Sequence, residues 1–234
     1  MSLITTASVS ESLRAKASEI WSGQHDHPFI TGIGDGTLDP DRFDFFLRQD
    51  YLYLIDYARV FAFAAARAPD LATMTRFSRL LHETLESEMD LHRSLVGHFG
   101  VTVDDLNAEE KAPTTQGYTD FLLRTAATGD YAELIGALLP CMWGYSELGQ
   151  VLAERGRPDD PRYAKWIASY SSPEFAELAM WCRDLLDTHT QGLGGEAMGR
   201  VTQAFLTSSR YELAFWEMAW RMERWPGPNP AANR

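Results

Sequence analysis

Cysteine is nearly absent: Cys141 and Cys182 are the only two among 234 residues. Two thiols do not make a disulfide framework, so the small secreted scaffolds are excluded. Basic residues are also few. Lys and Arg number 21 against 33 Asp and Glu, a net charge of −12, and no Lys/Arg block stands out. Phosphate binding needs a basic footprint, so neither nucleic acid nor an anionic membrane surface is an expected partner. No uninterrupted apolar run approaches the roughly 20 residues of a membrane span. Met1 to Ser12 lacks a basic stretch followed by an apolar one, so no signal peptide is expected and the cytoplasm is the expected compartment. Strand-like alternation, internal repeats and low-complexity linkers are missing too. No His has Glu three residues before it, which a ferritin-like di-metal centre would require, and there is no Gly-x-Ser-x-Gly elbow.

What is present is helical periodicity and aromatic residues, which make up 12% of the chain and include seven Trp. Asp39-Pro40 reads as an N-cap with proline in the first turn of a helix running to about Arg67. A second helix is predicted from Leu71 to Phe99, with Leu71, Met74, Phe77, Leu80, Leu81, Leu85, Met89, His92, Leu95 and Val96 as its apolar stripe and Gly100 as its stop. A polar connection follows to Pro113, and Thr114 or Thr115 can cap a helix ending at Gly129. Further helices are predicted over about 130–154, 161–169, 173–191 and 196–224. The sum is an all-α protein of about eight helices in one bundle, a single domain over 1–234 with a flexible tail at 225–234.

Three helical segments could carry chemistry. In Leu139-Pro140-Cys141-Met142-Trp143-Gly144-Tyr145, Cys141 and Tyr145 are i and i+4 and share a face. Pro140 inside the helix is expected to kink it and present the sulfur to a cavity. Unaided, composition favours the plainer reading, a small buried hydrophobe. In the run Arg48 to Arg59, Asp50, Tyr53 and Tyr57 share one face. A carboxylate set among aromatics is expected to have a raised pKa; the competing reading is an acid at the polar border of an amphipathic helix. Along Ser208 to Trp220, Glu212 shares a face with Phe215, Trp216 and Ala219. It reads either as an acid that keeps its proton near neutrality or as the partner of a nearby Arg, while Glu217 points to solvent. Two glycine clusters, 32–36 and 192–195, lack the strand that a phosphate loop needs and read as turns. His25-Asp26-His27 reads as structural rather than metal-binding, and His82 with Glu86 as a surface pair.

The order and spacing of His27-Pro28-Phe29, Asp35-Gly36-Thr37-Leu38, Gln49-Asp50-Tyr51-Leu52-Tyr53-Leu54, Leu139-Pro140-Cys141-x-Trp143-x-Tyr145-x-Glu147, Trp166-Ile167-x-x-Tyr170-Ser171-Ser172 and Arg210-Tyr211-Glu212-x-x-Phe215-Trp216 resemble the TenA/thiaminase-II family, within the haem-oxygenase-like fold. The resemblance spans nearly the whole chain. It implies that Cys141 is a nucleophile, that Asp50 binds a pyrimidine and that Glu212 is catalytic. It also implies that Tyr53, Tyr118, Tyr145 and Tyr170 line the pocket and that Phe215 stacks on the ring. The implied reaction is hydrolysis of 4-amino-5-aminomethyl-2-methylpyrimidine to the 5-hydroxymethyl compound and ammonia, in thiamin salvage, with thiamin cleavage by the same route. No metal or organic cofactor is implied, and a homotetramer is. Met142 and Leu213 stand where relatives often carry aromatics. Rival expectations on the same fold are a cofactor-free or di-iron oxidase, which would need a basic, His-rich or metal-ligating pocket, and a pyrimidine-binding regulator without activity.

Overall fold

Side-chain caps set most of the helix starts in the computed structural model, which describes residues 8–227. Ser8 and Glu11 form a capping box on α1 (Val9–Lys16). After α2 (Ser18–His25), the His27 ring accepts from Phe29 N–H and opens α3 (Pro28–Asp35). Asp39 caps α4 (Pro40–Ala66), and Asp70 caps α5 (Leu71–Glu83). A π-helical turn (Thr84–Glu88) joins α5 to α6 (Met89–Gly97). Thr102 caps the short α7 (Val103–Ala108), and α8 (Pro113–Thr128) follows. Asp130 and Glu133 box the start of α9 (Tyr131–Arg155). Asp160 and Ser172 cap α10 (Pro161–Tyr170) and α11 (Pro173–His189), and α12 (Gly195–Arg221) closes the bundle.

The described residues thus hold twelve α-helices, the π turn and no strand. The class is the one expected, but the count exceeds eight because the short α1, α2, α3 and α7 carry too few turns to show a period. Gly32 to Gly36 is a correction: it is the second half of α3, and only Gly36, at φ 72°, makes the turn. Thr114 and Thr115 do not cap α8, which starts at Pro113 behind Ala112; the Thr115 hydroxyl donates instead to Gln49 Oε1 at 2.8 Å. The last helix stops at Arg221, where Met222 turns left-handed at φ 48°. Of the expected tail, residues 228–234 lie outside those described, as do Met1 to Ala7 of the leader reading. Trp225 Nε1 donates to the Lys111 carbonyl at 2.8 Å. No described helix is long and apolar enough to cross a membrane.

The stripe predicted on the second helix is only partly the buried one, since Leu71, Met74 and Leu85 are exposed. The buried positions of α5 are Thr73, Phe77 and Leu80, which continue to Thr84. The next are Met89, His92, Leu95 and Val96. The step from Thr84 to Met89 is one residue longer than an α-helical i+4 step, which is what one π turn inserts.

α9 packs against α12, α11, α10 and α8, while α4 packs against α5, α6, α8 and α12. The Tyr57 hydroxyl ties the two central helices together, donating to the Leu138 carbonyl at 2.7 Å. An aromatic cluster of Phe29, Phe43, Phe46, Trp166 and Trp216, all essentially inaccessible, anchors the end of α4 near Asp50. Each such ring contributes roughly 1.5–3 kcal/mol by burial. α10 rests directly on Gly149 of α9. A Cβ there would stand 2.5 Å from the Tyr170 carbonyl carbon and 2.7 Å from Ser171 N. Backbone cannot yield as a side-chain tip can. Gly149→Ala is therefore expected to cost about 1–3 kcal/mol, with a lowered Tm in calorimetry; an unchanged Tm would show that α10 is not held by this contact.

Candidate active site

Four elements converge beside the middle of α9. Helix α4 brings Asp50, Tyr53, Leu54 and Tyr57; α9 brings Cys141, Met142 and Tyr145. The end of α10 brings Tyr170, the start of α11 brings Phe175, and the π turn brings Glu88. They enclose a void of about 20 Å³, room for about one water. Met142, Tyr170, Phe175 and Glu88 also line an outer groove of about 570 Å³, so these four side chains stand between void and groove.

Of the residues singled out in the sequence, Cys141, Asp50, Tyr53, Tyr145 and Tyr170 line the void. Glu212, Tyr118 and Phe215 stand behind Tyr53 rather than on the void wall. The Tyr53 ring lies 5.1 Å from that of Tyr118 and 5.7 Å from that of Phe215. Tyr118 donates to Glu212 Oε1 at 2.5 Å, and its oxygen lies 2.8 Å from Ser208 Oγ. The alternative reading of Glu212 as an Arg partner is thereby replaced. Cys141 is buried in the core, as its plain reading has it, and also lines the void. Helix α9 runs unbroken through Pro140.

Two residues of the site escaped sequence reasoning. His92, completely buried, places Nε2 2.7 Å from Asp50 Oδ2 and Nδ1 2.8 Å from the Glu88 carbonyl oxygen. A carbonyl only accepts, so Nδ1 carries a proton, and a further proton lies between Nε2 and Asp50. Burial would lower the His92 pKa, but the hydrogen bond and charge of Asp50, with Glu88, outweigh it and hold the imidazole above its ordinary value. Asp50 is therefore not the lone carboxylate among aromatics that its own helix suggests. The signal for His92 was its place in a buried stripe. Glu88 had none, because the π turn that positions it is not written in the helical period.

Burial dominates the site's acidities. It pushes Glu212 up to about 8, against the lowering pull of the Tyr118 hydrogen bond. It pushes Glu88 up to about 7. It drives the Cys141 thiol well above its ordinary range; the charge of Glu212 adds to this, while a hydrogen bond from Tyr53 opposes it. Apart from that sulfur contact, the buried Tyr53 hydroxyl has no hydrogen-bond partner. Tyr53, Tyr118, Tyr145 and Tyr170 are all raised by burial and remain phenols at neutral pH. Among the described residues no three His, Cys, Asp or Glu side chains are grouped to hold a metal ion. His25 faces Glu147 at 2.8 Å and His27 faces Glu217 at 3.1 Å, each in a pair with a carboxylate. His82 and Glu86 are both exposed.

Helices wrapped in this order around a buried thiol, carboxyl groups and phenols define a haem-oxygenase-like helical protein. Haem oxygenase-1 from Synechocystis superposes with a TM-score of 0.63 over 92% of this chain and 94% of its own, at 14% identity, a likeness of fold alone. The chain belongs to the TENA/THI-4/PQQC family, whose profile matches residues 14–222. A TenA homologue from P. horikoshii superposes with a TM-score of 0.85 at 30% identity, over 92% of this chain and 99% of its own. An aminopyrimidine aminohydrolase of Halalkalibacterium halodurans is 46% identical over 93% of this chain and 98% of its own. One from Bacillus subtilis is 38% identical over 92% and 91%.

Proposed function

We propose that the protein is a hydrolase that acts on 4-amino-5-aminomethyl-2-methylpyrimidine, with Cys141 as nucleophile, and that thiamin is cleaved by the same route. The observation that carries the reading is a buried thiol on a cavity wall with the Asp50–His92 pair, while a carboxyl group that keeps its proton near neutrality stands close by. The names of the relatives support the substrate class.

An amine on a methylene is a poor leaving group. Addition of the Cys141 sulfur to a ring carbon breaks aromaticity, and the ring electrons then expel the amine as an exocyclic double bond forms. Sulfur gains a bond to carbon and the C–N bond breaks toward nitrogen; an amine bound in its protonated form departs as ammonia and takes up the thiol proton as ammonium. Water then adds hydroxide to the methylene carbon and returns its proton to sulfur as the C–S bond breaks. The raised thiol pKa requires that the proton leave Cys141 during attack rather than before it. Glu212, near that thiol and protonated near neutrality, is the carboxyl group suited to relay it, giving its own proton toward the departing nitrogen as it takes the thiol's. Asp50, sharing a proton with His92, holds the amino and ring-nitrogen edge of the pyrimidine. Tyr53, Tyr145 and Tyr170 supply phenol donors at the wall. Phe215 stacks on the ring and Tyr118 reaches it once Tyr53, which stands in front of both, is displaced.

A void of about 20 Å³ does not hold a pyrimidine. Entry from the outer groove displaces one or more of Met142, Tyr170 and Phe175. Leu213 is half-buried away from this wall, so the substitution at Met142 bears more directly on the opening. The whole chain is read as one domain, working as a homotetramer; the exposed apolar side chains of Leu71, Met74 and Leu85 are candidates for a subunit contact. A single-chain mass by light scattering would refute the tetramer. The test of the function is ammonia release from the aminomethyl pyrimidine and thiazole release from thiamin by the native chain. The first is expected to be faster, and absence of both would remove the hydrolase reading.

A further inference from the structure

We infer that Glu88 is the counter-ion for a protonated amine on the ligand's exocyclic methylene, and so selects cationic leaving groups over neutral ones. The inference rests on the pyrimidine reading of the site and adds a specificity residue to it.

Position makes the case first. Of the four side chains shared by the inner void and the outer groove, Glu88 alone is charged. A ring held at Asp50 and Cys141 would direct its exocyclic substituent toward that boundary, because the other walls are closed by packed aromatics. The backbone explains why an acid can sit there. Without the π turn, the i+4 step from Thr84 would place residue 88 on the buried face. The inserted residue gives that place to Met89 and leaves Glu88 partly buried at the rim.

The other two carboxyl groups are already engaged. Asp50 is bound by His92, and Glu212 accepts from Tyr118. Glu88 receives a longer hydrogen bond from the Tyr170 hydroxyl, at 3.2 Å, with support from Thr84. The charge nearby that favours its anion is that of His92, whose hydrogen bond goes to Asp50 and whose effect the Asp50 charge opposes. An ammonium group moved from water into an enclosed apolar site is strongly disfavoured unless an anion meets it. Glu88 is that anion, and an adjacent cation favours its ionised form, against the burial that pushes its carboxyl up to about 7. The approach has the same sign. The outer groove adds the carboxylates of Glu83 and Asp90 and a single cation, Lys165, which donates to Ser94. An amine is drawn in, and a phosphorylated pyrimidine is repelled.

The experiment is calorimetric binding in the Cys141→Ala background, which prevents turnover. The two ligands are the aminomethyl pyrimidine, cationic at pH 7.5, and the hydroxymethyl pyrimidine, neutral and nearly the same size. Glu88→Gln is expected to weaken the aminomethyl compound about 10- to 100-fold and to leave the hydroxymethyl compound within about threefold. Glu88→Asp, which keeps the charge on a shorter arm, should fall between. Retained hydroxymethyl binding certifies that each variant is folded. Equal losses for both ligands, or no loss for either, would overturn the role of Glu88 while leaving the hydrolase intact. Failure of both ligands to bind with Glu88 present, together with no ammonia release by the native chain, would overturn the underlying reading instead.

Discussion

Cys141→Ala is expected to release ammonia from the aminomethyl pyrimidine at least about 10³-fold more slowly than the native chain, because loss of a nucleophile that forms a covalent intermediate is not made good by its neighbours. The substitution removes one sulfur from the wall of an existing void. Its cost to the fold is therefore small, about 1 kcal/mol or less. The variant should keep its helical spectrum and bind the hydroxymethyl product with nearly native affinity. Those two readouts separate lost chemistry from lost structure. Turnover within a few-fold of native would mean that the sulfur only packs, and that water attacks without a covalent adduct. Cys182 is the internal control: it is fully buried in α11, outside the void, and Cys182→Ser should leave turnover largely intact in whatever fraction folds.

Glu212→Gln should lose roughly 10²–10⁴ in kcat with a smaller change in product affinity, since the amide keeps an acceptor for Tyr118 but carries no transferable proton. It should also be the more stable protein at alkaline pH. In the folded chain Glu212 holds its proton to about 8, against an ordinary value of 4.5. Between those two values the folded state binds a proton that the unfolded state has released. Stability therefore falls as pH rises through that window, and an amide does not share the fall. The variant and native Tm values should nearly coincide at pH 4.5 and separate by roughly ten degrees at pH 8, on the order of 4 kcal/mol. A Tm difference that shrinks with rising pH would contradict the buried neutral acid. Full activity in Glu212→Gln would remove it from proton transfer.

Both predictions turn on the same property of the site. Glu212, Glu88 and the Cys141 thiol are held in apolar surroundings that disfavour charge, so each keeps its proton to a higher pH than a solvated counterpart would. In the proposed mechanism neutral carboxyl groups donate protons, and the neutral thiol waits until a ring and a proton acceptor are both in place. Stability is given up for this, as is common where buried titratable groups serve chemistry.

Much of the site was legible because its parts are local. Asp50, Tyr53 and Tyr57 share a face through helical spacing alone, as do Cys141 and Tyr145, and Glu212 and Phe215. The cap read at Asp39 is likewise decided within a turn. The two residues missed depend on contacts across the fold. His92 meets Asp50 across 42 positions of sequence, and Glu88 meets Tyr170 across 82. Tyr118 and Glu212, although both singled out, gave no sign of bonding to each other across 94.

By itself, then, the amino-acid order determined that the chain is helical, where most of the long helices start and which side chains travel together on each face. These follow from backbone hydrogen bonding and side-chain shape over four residues or fewer. Which faces meet, which oxygen holds a proton and how small the enclosed space is were decided only by tertiary packing. Desolvation and long-range pairing depend on everything that surrounds a group, and no local spacing encodes that.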